Sequence, residues 1–197
     1  TFEPHPREYF SPADAPARLA SLREKLLLLD AAGVDRTYIC RFDARLAAQP
    51  AQAFIDDTLV RGLAVRHLFI GDDFRFGTRR QGDFAMLQAA GAQHGFAVES
   101  MPTLAAAGER VSSSAVRDAL AADDLAHAAR LLGRPYSIAG RVGHGDKLGR
   151  QIGFPTANIQ MKHRRPALTG VYAVSVEGLA DGPVAGVANV GVRPTAT

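Results

Sequence analysis

Apolar residues recur at Leu19, Leu22, Leu26 and Leu29, spaced by three and four. That stripe predicts an amphipathic helix over 16–32, with Gly33 behind it as a C-terminal cap. The β-formers Val34, Thr37, Tyr38 and Ile39 predict a strand over 34–42. A helix follows over 50–61, with Phe54, Ile55 and Leu59 inward, then a short apolar strand over 65–70 that stops at Gly71. The pattern continues with a helix over 84–94, a strand over 96–101, and two helices over 111–121 and 123–132. At the front, the segment around Phe2 reads as a strand end halted by Pro4, and Ala105–Ala107 reads as loop filler. Such β/α alternation predicts an α/β fold: a Rossmann-like, mostly parallel sheet with helices on both faces. Ligands then bind outside the carboxyl ends of its strands.

Beyond residue 133 the period changes. Runs over 136–142 and 171–176 alternate, 184–190 is short and apolar, and Gly and Pro separate them. This predicts a small antiparallel β domain of barrel type. Charge and glycine shift at the same place. Residues 1–132 hold 15 Lys+Arg against 17 Asp+Glu, a net of −2, whereas 133–197 hold 8 against 3, a net of +5. Eight glycines lie in 1–132 and 11 in 133–197. We therefore expect domains at 1–132 and 133–197, the second basic enough to suit phosphate groups.

The chain has 197 residues, 47% apolar and 22% charged, which suits a folded globular protein and excludes wholesale disorder. Cys40 is the single cysteine, so there is no intramolecular disulfide and no Cys-rich zinc site. A reducing, cytoplasmic location is expected. No apolar run nears the roughly 20 residues that span a bilayer, and no signal peptide opens the chain, so no membrane association is expected. The first residue is Thr1 rather than Met, which suggests a fragment.

Four motifs can carry chemistry. Gly71-Asp72-Asp73-Phe74-Arg75-Phe76-Gly77 begins where an apolar strand ends. Its carboxylates and aromatics can bind a polar group and stack on a flat ring, or form a solvated turn whose phenylalanines plug the core. Arg110-Val111-Ser112-Ser113-Ser114-Ala115-Val116-Arg117 places hydroxyls at a helix start. Open amides and the helix dipole attract anions there, and Arg117, one turn in, can clamp phosphate; the structural reading is a capping run with surface arginines. In the stretch from Gly145 to Asn158, glycines recur every fourth position with Lys147 and Arg150 between them. It is no Walker A loop. Thr156 and Asn158 offer hard oxygens on alternate positions, one face if the backbone is extended, suited to Mg²⁺ carried by nucleotide phosphates. In Thr1-Phe2-Glu3-Pro4-His5-Pro6, His5 is held between two prolines at the end of the first strand.

These motifs occur in one order with Leu131-Leu132-Gly133-Arg134-Pro135-Tyr136 and Asn189-Val190-Gly191-Val192-Arg193-Pro194-Thr195. Together they resemble the bacterial bifunctional riboflavin kinase/FMN adenylyltransferase (FAD synthetase) family from end to end, Pro155-Thr156-Ala157-Asn158 being the most specific element. The resemblance implies two ATP-dependent transfers: the γ-phosphoryl group to riboflavin, giving FMN, and the AMP moiety to FMN, giving FAD. It implies that Arg110, Ser113, Ser114 and Arg117 hold ATP in the adenylyltransferase site. It sets His5, Pro6, Asp72, Asp73 and Phe74 near the flavin. In the kinase site it implies Gly145, Lys147, Gly149 and Arg150 around the nucleotide, with Thr156 and Asn158 binding Mg²⁺ and phosphate. Thr156, Asn158 and Arg117 are the expected catalytic residues.

Three departures stand out. The family's His-x-Gly-His signature would precede Thr1, the acidic residue proposed as kinase base would follow Thr197, and Ser114 replaces a usual threonine. Taken alone, the chain is expected to be impaired in both reactions, or to be a nucleotide- or flavin-binding fragment. That binding module without catalysis is the rival class, and a small β-barrel that binds single-stranded nucleic acid through its basic tail is a further one. The barrel's case is poor, because the basic tail offers few stacking aromatics (Tyr136, Phe154, Tyr172) and gathers its charge in a glycine loop. The expected partners are small molecules only.

Overall fold

The computed structural model describes residues 1–71, 73–106, 108–143, 156–161 and 165–191. In chain order the elements are β1 (Phe2–Glu3), α1 (Pro6–Phe10), α2 (Leu22–Ala31), β2 (Cys40–Arg41), α3 (Ala44–Ala48) and α4 (Ala51–Ala53). A π-helix (Phe54–Gly62) continues α4, followed by β3 (His67–Ile70), a tight turn at Thr78–Arg80, α5 (Phe84–His94) and β4 (Ala97–Ser100). Then come β5 (Ala105–Ala106), β6 (Glu109–Arg110), α6 (Ser113–Ala121), α7 (Leu125–Leu132), β7 (Arg141–Gly143), β8 (Asn158–Gln160), β9 (Gly170–Val176) and β10 (Val184–Val190).

These elements form two compact units: 1–15 with 38–104, and 16–37 with 105–197. The first is built on parallel pairing. Phe2 and Glu3 pair with Cys40 and Arg41, and His67–Ile70 pair in register with Ala97–Ser100. Its core joins Ile55, fully buried, to Phe54, Leu59, Phe76, Leu87, Ala90 and Phe96. Phe54, Ile55 and Leu59 face inward as their spacing demands. The helix carrying them is wider than expected, since the Leu63 amide reaches back five residues to the Thr58 carbonyl at 2.9 Å. Burial pushes the Cys40 thiol up, against the opposing pull of the N-terminal ammonium, and so favours its protonated form.

The second unit packs Val116, Ala119, Leu120, Ala128 and Leu131 of α6 and α7 against Ala167 and Leu168. The strands of this unit pair antiparallel: β5 with β6, β7 with β8, and β9 with β10, the last running from Gly170↔Val190 to Val176↔Val184 and leaning on the core through Tyr172 and Val190. Tyr136 leans on this core. Burial, reinforced by the Glu24 carboxylate and opposed by Arg134, pushes its hydroxyl up to about 12. An unfolded chain ionises tyrosine near 10, so it sheds this proton first. Stability is therefore expected to decline as pH rises from about 10 to about 12, and Tyr136→Phe to flatten the decline; urea unfolding across that window measures it.

The chain is thus α/β with a small β region, but its sheets differ from the expected ones. Among the described residues every sheet has two strands, so a single parallel sheet is replaced by the separate pairs β1–β2 and β3–β4. The physical reason is strand length: β1 and β2 are two residues long, too short to carry a wide ladder. In the β region, β7–β8 and β9–β10 are separate hairpin pairs and do not close a barrel among the described residues.

Helix 16–32 shortens to Leu22–Ala31. Ser21 caps it, accepting from the Glu24 amide at 3.3 Å while the Glu24 carboxylate accepts from the Ser21 amide at 2.6 Å. Strand 34–42 shrinks to Cys40–Arg41, since the Val34 amide is spent on the Leu29 carbonyl in the helix's C-terminal motif. Ala105–Ala106 is the edge of a hairpin with Glu109–Arg110, not filler.

Candidate functional site

In the first unit, the chain leaves β1 through Pro4 and enters α1 at once. His5 is the N-cap: its Nδ1 accepts from the Arg7 amide at 3.2 Å, while the Glu8 carboxylate accepts from the His5 amide at 3.1 Å. Pro6 fills the first helical position, where no amide is needed. The Nδ1 contact fixes the neutral ring as the Nε2–H tautomer. The sequence presented a histidine held by prolines; the structure gives it the work of a helix cap.

The second loop leaves β3 at Gly71. The Phe74 amide donates to the Gly71 carbonyl at 3.1 Å, which turns the chain back. Both phenylalanines touch the core of this unit, Phe76 as one of its buried members and Phe74 from its half-buried edge. Phe76 is 6% exposed and plugs the core against Phe54, ring centroids 5.5 Å apart. Phe74 is half-buried and lies nearly parallel to Phe76 at 5.7 Å. Asp73 is exposed; Asp72 lies outside the described residues. Arg75 is paired with Asp83 at 3.1 Å.

Further along this loop the backbone is strained. Arg79 and Arg80 have φ of +52° and +58°. Each such residue costs about 1–2 kcal/mol when it is not glycine. No spacing signal announces this, because Thr-Arg-Arg-Gln has none of the usual turn residues.

The serine run belongs to the second unit. Ser112 is the cap of α6, its Oγ accepting from the Ala115 amide at 3.1 Å. Ser113 and Ser114 therefore occupy the first turn, exposed, with amides that have no intrahelical acceptor. Arg117 is committed to backbone: Nε donates to the Ala17 carbonyl at 2.6 Å and Nη1 to the Ser113 carbonyl at 3.0 Å. Arg110 is exposed at the end of β6.

Ser112 and Ser114 line a shallow groove of about 480 Å³ together with Glu109, Asp118, Asp124 and His127. His127 Nε2 meets the Glu109 carboxylate at 2.6 Å, and Asp124 caps α7 by accepting from the His127 amide at 2.8 Å. The helix mouth is thus flanked by carboxylates on this side. Neither Glu109 nor His127 was singled out by the sequence, since hairpin 105–110 carried no signal. Among the described residues no group of three or more His, Cys, Asp or Glu could hold a metal ion.

Of the Gly-rich stretch, Gly145, Lys147, Gly149 and Arg150 lie outside the described residues. Thr156 and Asn158 are exposed; Asn158 opens β8 opposite Gly143, and Thr156 precedes it by two residues. The predicted flavin residues therefore fall in one unit, and the predicted ATP residues of both sites in the other.

The family model for FAD synthetase matches residues 1–115, and that for riboflavin kinase matches residues 132–197. The chain belongs to the FAD synthetase family. The bifunctional riboflavin kinase/FMN adenylyltransferase of Escherichia coli (strain K12) is 55% identical over 194 residues, 98% of this chain and 62% of that protein. Its counterparts in Pseudomonas fluorescens and Haemophilus influenzae are 56% and 53% identical, again over 98% of this chain. The chain spans about three-fifths of the length of these curated relatives. A crystal structure of a protein described as a macrolide-efflux protein from Streptococcus pneumoniae matches with a TM-score of 0.75 at 28% identity, covering 97% of this chain and 62% of that one. Among the described residues no helix is long and apolar enough to cross a membrane.

Proposed function

We propose that the chain carries parts of two ATP-using sites of flavin cofactor synthesis, a riboflavin kinase and an FMN adenylyltransferase. The observation that supports this best is the succession of both family matches along one chain, 1–115 and then 132–197. In this reading residues 1–132 form the nucleotidyltransferase-like, Rossmann-like domain, and residues 133–197 form part of a kinase-type β-barrel. The substrates are ATP, riboflavin and FMN, and the setting is cytoplasmic. Nucleic acid and membranes are not partners.

In adenylyl transfer, an FMN phosphate oxygen bonds to the α-phosphorus of ATP as the bond to pyrophosphate breaks. In phosphoryl transfer, a ribityl hydroxyl oxygen bonds to the γ-phosphorus of ATP as the bond to ADP breaks, and the hydroxyl proton is released. Both reactions depend on positioning and on compensating phosphate charge. The open amides and hydroxyls of Ser113 and Ser114, with Arg110 and Arg117, supply that compensation in the first site. Phe74, His5, Pro6, Asp72 and Asp73 border the flavin. In the second site Gly145, Lys147, Gly149 and Arg150 border the nucleotide.

Thr156 and Asn158 fit Mg²⁺ as a donor set: two exposed neutral oxygens suit an ion that arrives with nucleotide phosphates. When bound, the ion neutralises phosphate charge. Thr156 and Asn158 then orient the polyphosphate from the strand start.

Titration of the 197-residue chain with Mg-ATP tests this reading, and a chain that binds neither ATP nor flavin refutes it. Two variants separate its parts. Arg110→Ala is expected to weaken ATP binding about five-fold or more with an unchanged melting temperature, because the side chain is exposed. Arg117→Ala is expected to weaken ATP and also to cost about 1–3 kcal/mol of stability, since its carbonyl partners lose their donor.

A further inference from the structure

The tight turn in the first unit carries two cations that the reading above leaves unused. The Gln81 amide donates to the Thr78 carbonyl at 3.3 Å, so Arg79 and Arg80 are the central residues of the turn, both with positive φ. That is the requirement of a type I′ turn, normally met by Asn and Gly. The surroundings impose it. Phe76 and Gly82 exchange backbone hydrogen bonds of 3.2 and 2.9 Å, and the Thr78 amide donates to the Gln49 carbonyl at 2.8 Å. Both guanidinium groups are on exposed residues, and neither makes a hydrogen bond or ion pair with a described residue. Arg75, by contrast, is neutralised by Asp83.

Two guanidinium groups with no partner among the described residues, carried side by side on a braced and strained turn, offer paired positive charge to an anion. The same loop carries half-buried Phe74, and the ATP residues of both sites belong to the other unit. We propose that Arg79 and Arg80 bind the phosphate monoester of FMN, so that the loop from Phe74 to Gly82 reads both ends of the flavin nucleotide. This rests on the reading that the first unit binds flavin. It gives the adenylyltransferase site its preference for FMN over unphosphorylated riboflavin.

The test titrates FMN, riboflavin and Mg-ATP into the 197-residue chain and into Arg79→Gly/Arg80→Gly. The FMN dissociation constant is expected to rise about ten-fold or more, with riboflavin and Mg-ATP within about two-fold. The melting temperature should hold or rise, because glycine accepts the positive φ without strain. Arg79→Lys/Arg80→Lys, which keeps both charges, should retain FMN binding within about three-fold. Unchanged FMN affinity in the glycine variant overturns the proposal. So does an equal loss of riboflavin, which marks a collapsed loop, or a loss of Mg-ATP in place of FMN. Phe74→Ala separates the two layers. If it leaves FMN binding intact, the flavin reading fails and this proposal fails with it. If it weakens FMN while the glycine variant does not, only the role of the arginines fails.

Discussion

Gly77→Ala is expected to destabilise the chain by about 3–5 kcal/mol. Gly77 has φ +72° and ψ 171°, a conformation close to glycine-only. An added Cβ would also lie 2.6 Å from the Cα and N of Ala51. Those are backbone atoms at the start of α4, and Ala51 is 4% exposed, so nothing there can swing aside. Gly95→Ala is the control: φ is +79° but no atom lies within 4 Å, so only the conformational cost of about 1 kcal/mol applies. Urea midpoints of the two variants measure the difference. A Gly77→Ala loss no greater than that of Gly95→Ala would show that the loop is not pinned on Ala51.

The second large effect concerns the start of β8. If residues 156–158 belong to the proposed nucleotide site, Thr156→Val with Asn158→Ala is expected to weaken Mg-ATP binding at least ten-fold. Stability should stay within about 0.5 kcal/mol, because both residues are exposed. Thr156→Ser keeps the oxygen donor and should restore most of the binding. Calorimetric titration of Mg-ATP against each variant, repeated with EDTA, separates loss of a metal-linked contact from loss of fold. Unchanged affinity in the double variant would remove Thr156 and Asn158 from the nucleotide site.

Much of the helical architecture was legible because it is local. Helix 84–94 is found as read, since Asp83 caps its start and Gly95 its end. Strand 184–190 is likewise found as read. The misread segments depend on distant partners. Val34 looks like a strand residue until Leu29 claims its amide, and hairpin 105–110 has no hydrophobic alternation to announce it. The candidate site divides the same way. A serine run before a helix is readable as a cap, but only the fold shows that Ser112 caps while Ser113 and Ser114 face outward. That Arg117 holds the Ala17 carbonyl, a hundred residues earlier, lies beyond any local pattern. The Arg79–Arg80 turn was illegible for a related reason: its strain is imposed by Gln49, Ala51 and Phe76, not by its own sequence.

The interleaving of the two units has a consequence on the ribosome. Residues 16–37 emerge early but belong with residues 105–197, and Leu27 and Leu28 are exposed even in the finished unit. At roughly 5–20 residues per second, the Ala17 carbonyl waits some 5–20 seconds for the Arg117 side chain to be made. Throughout that interval the carbonyl of Ala17 stands without the side-chain donor that it meets in the finished unit.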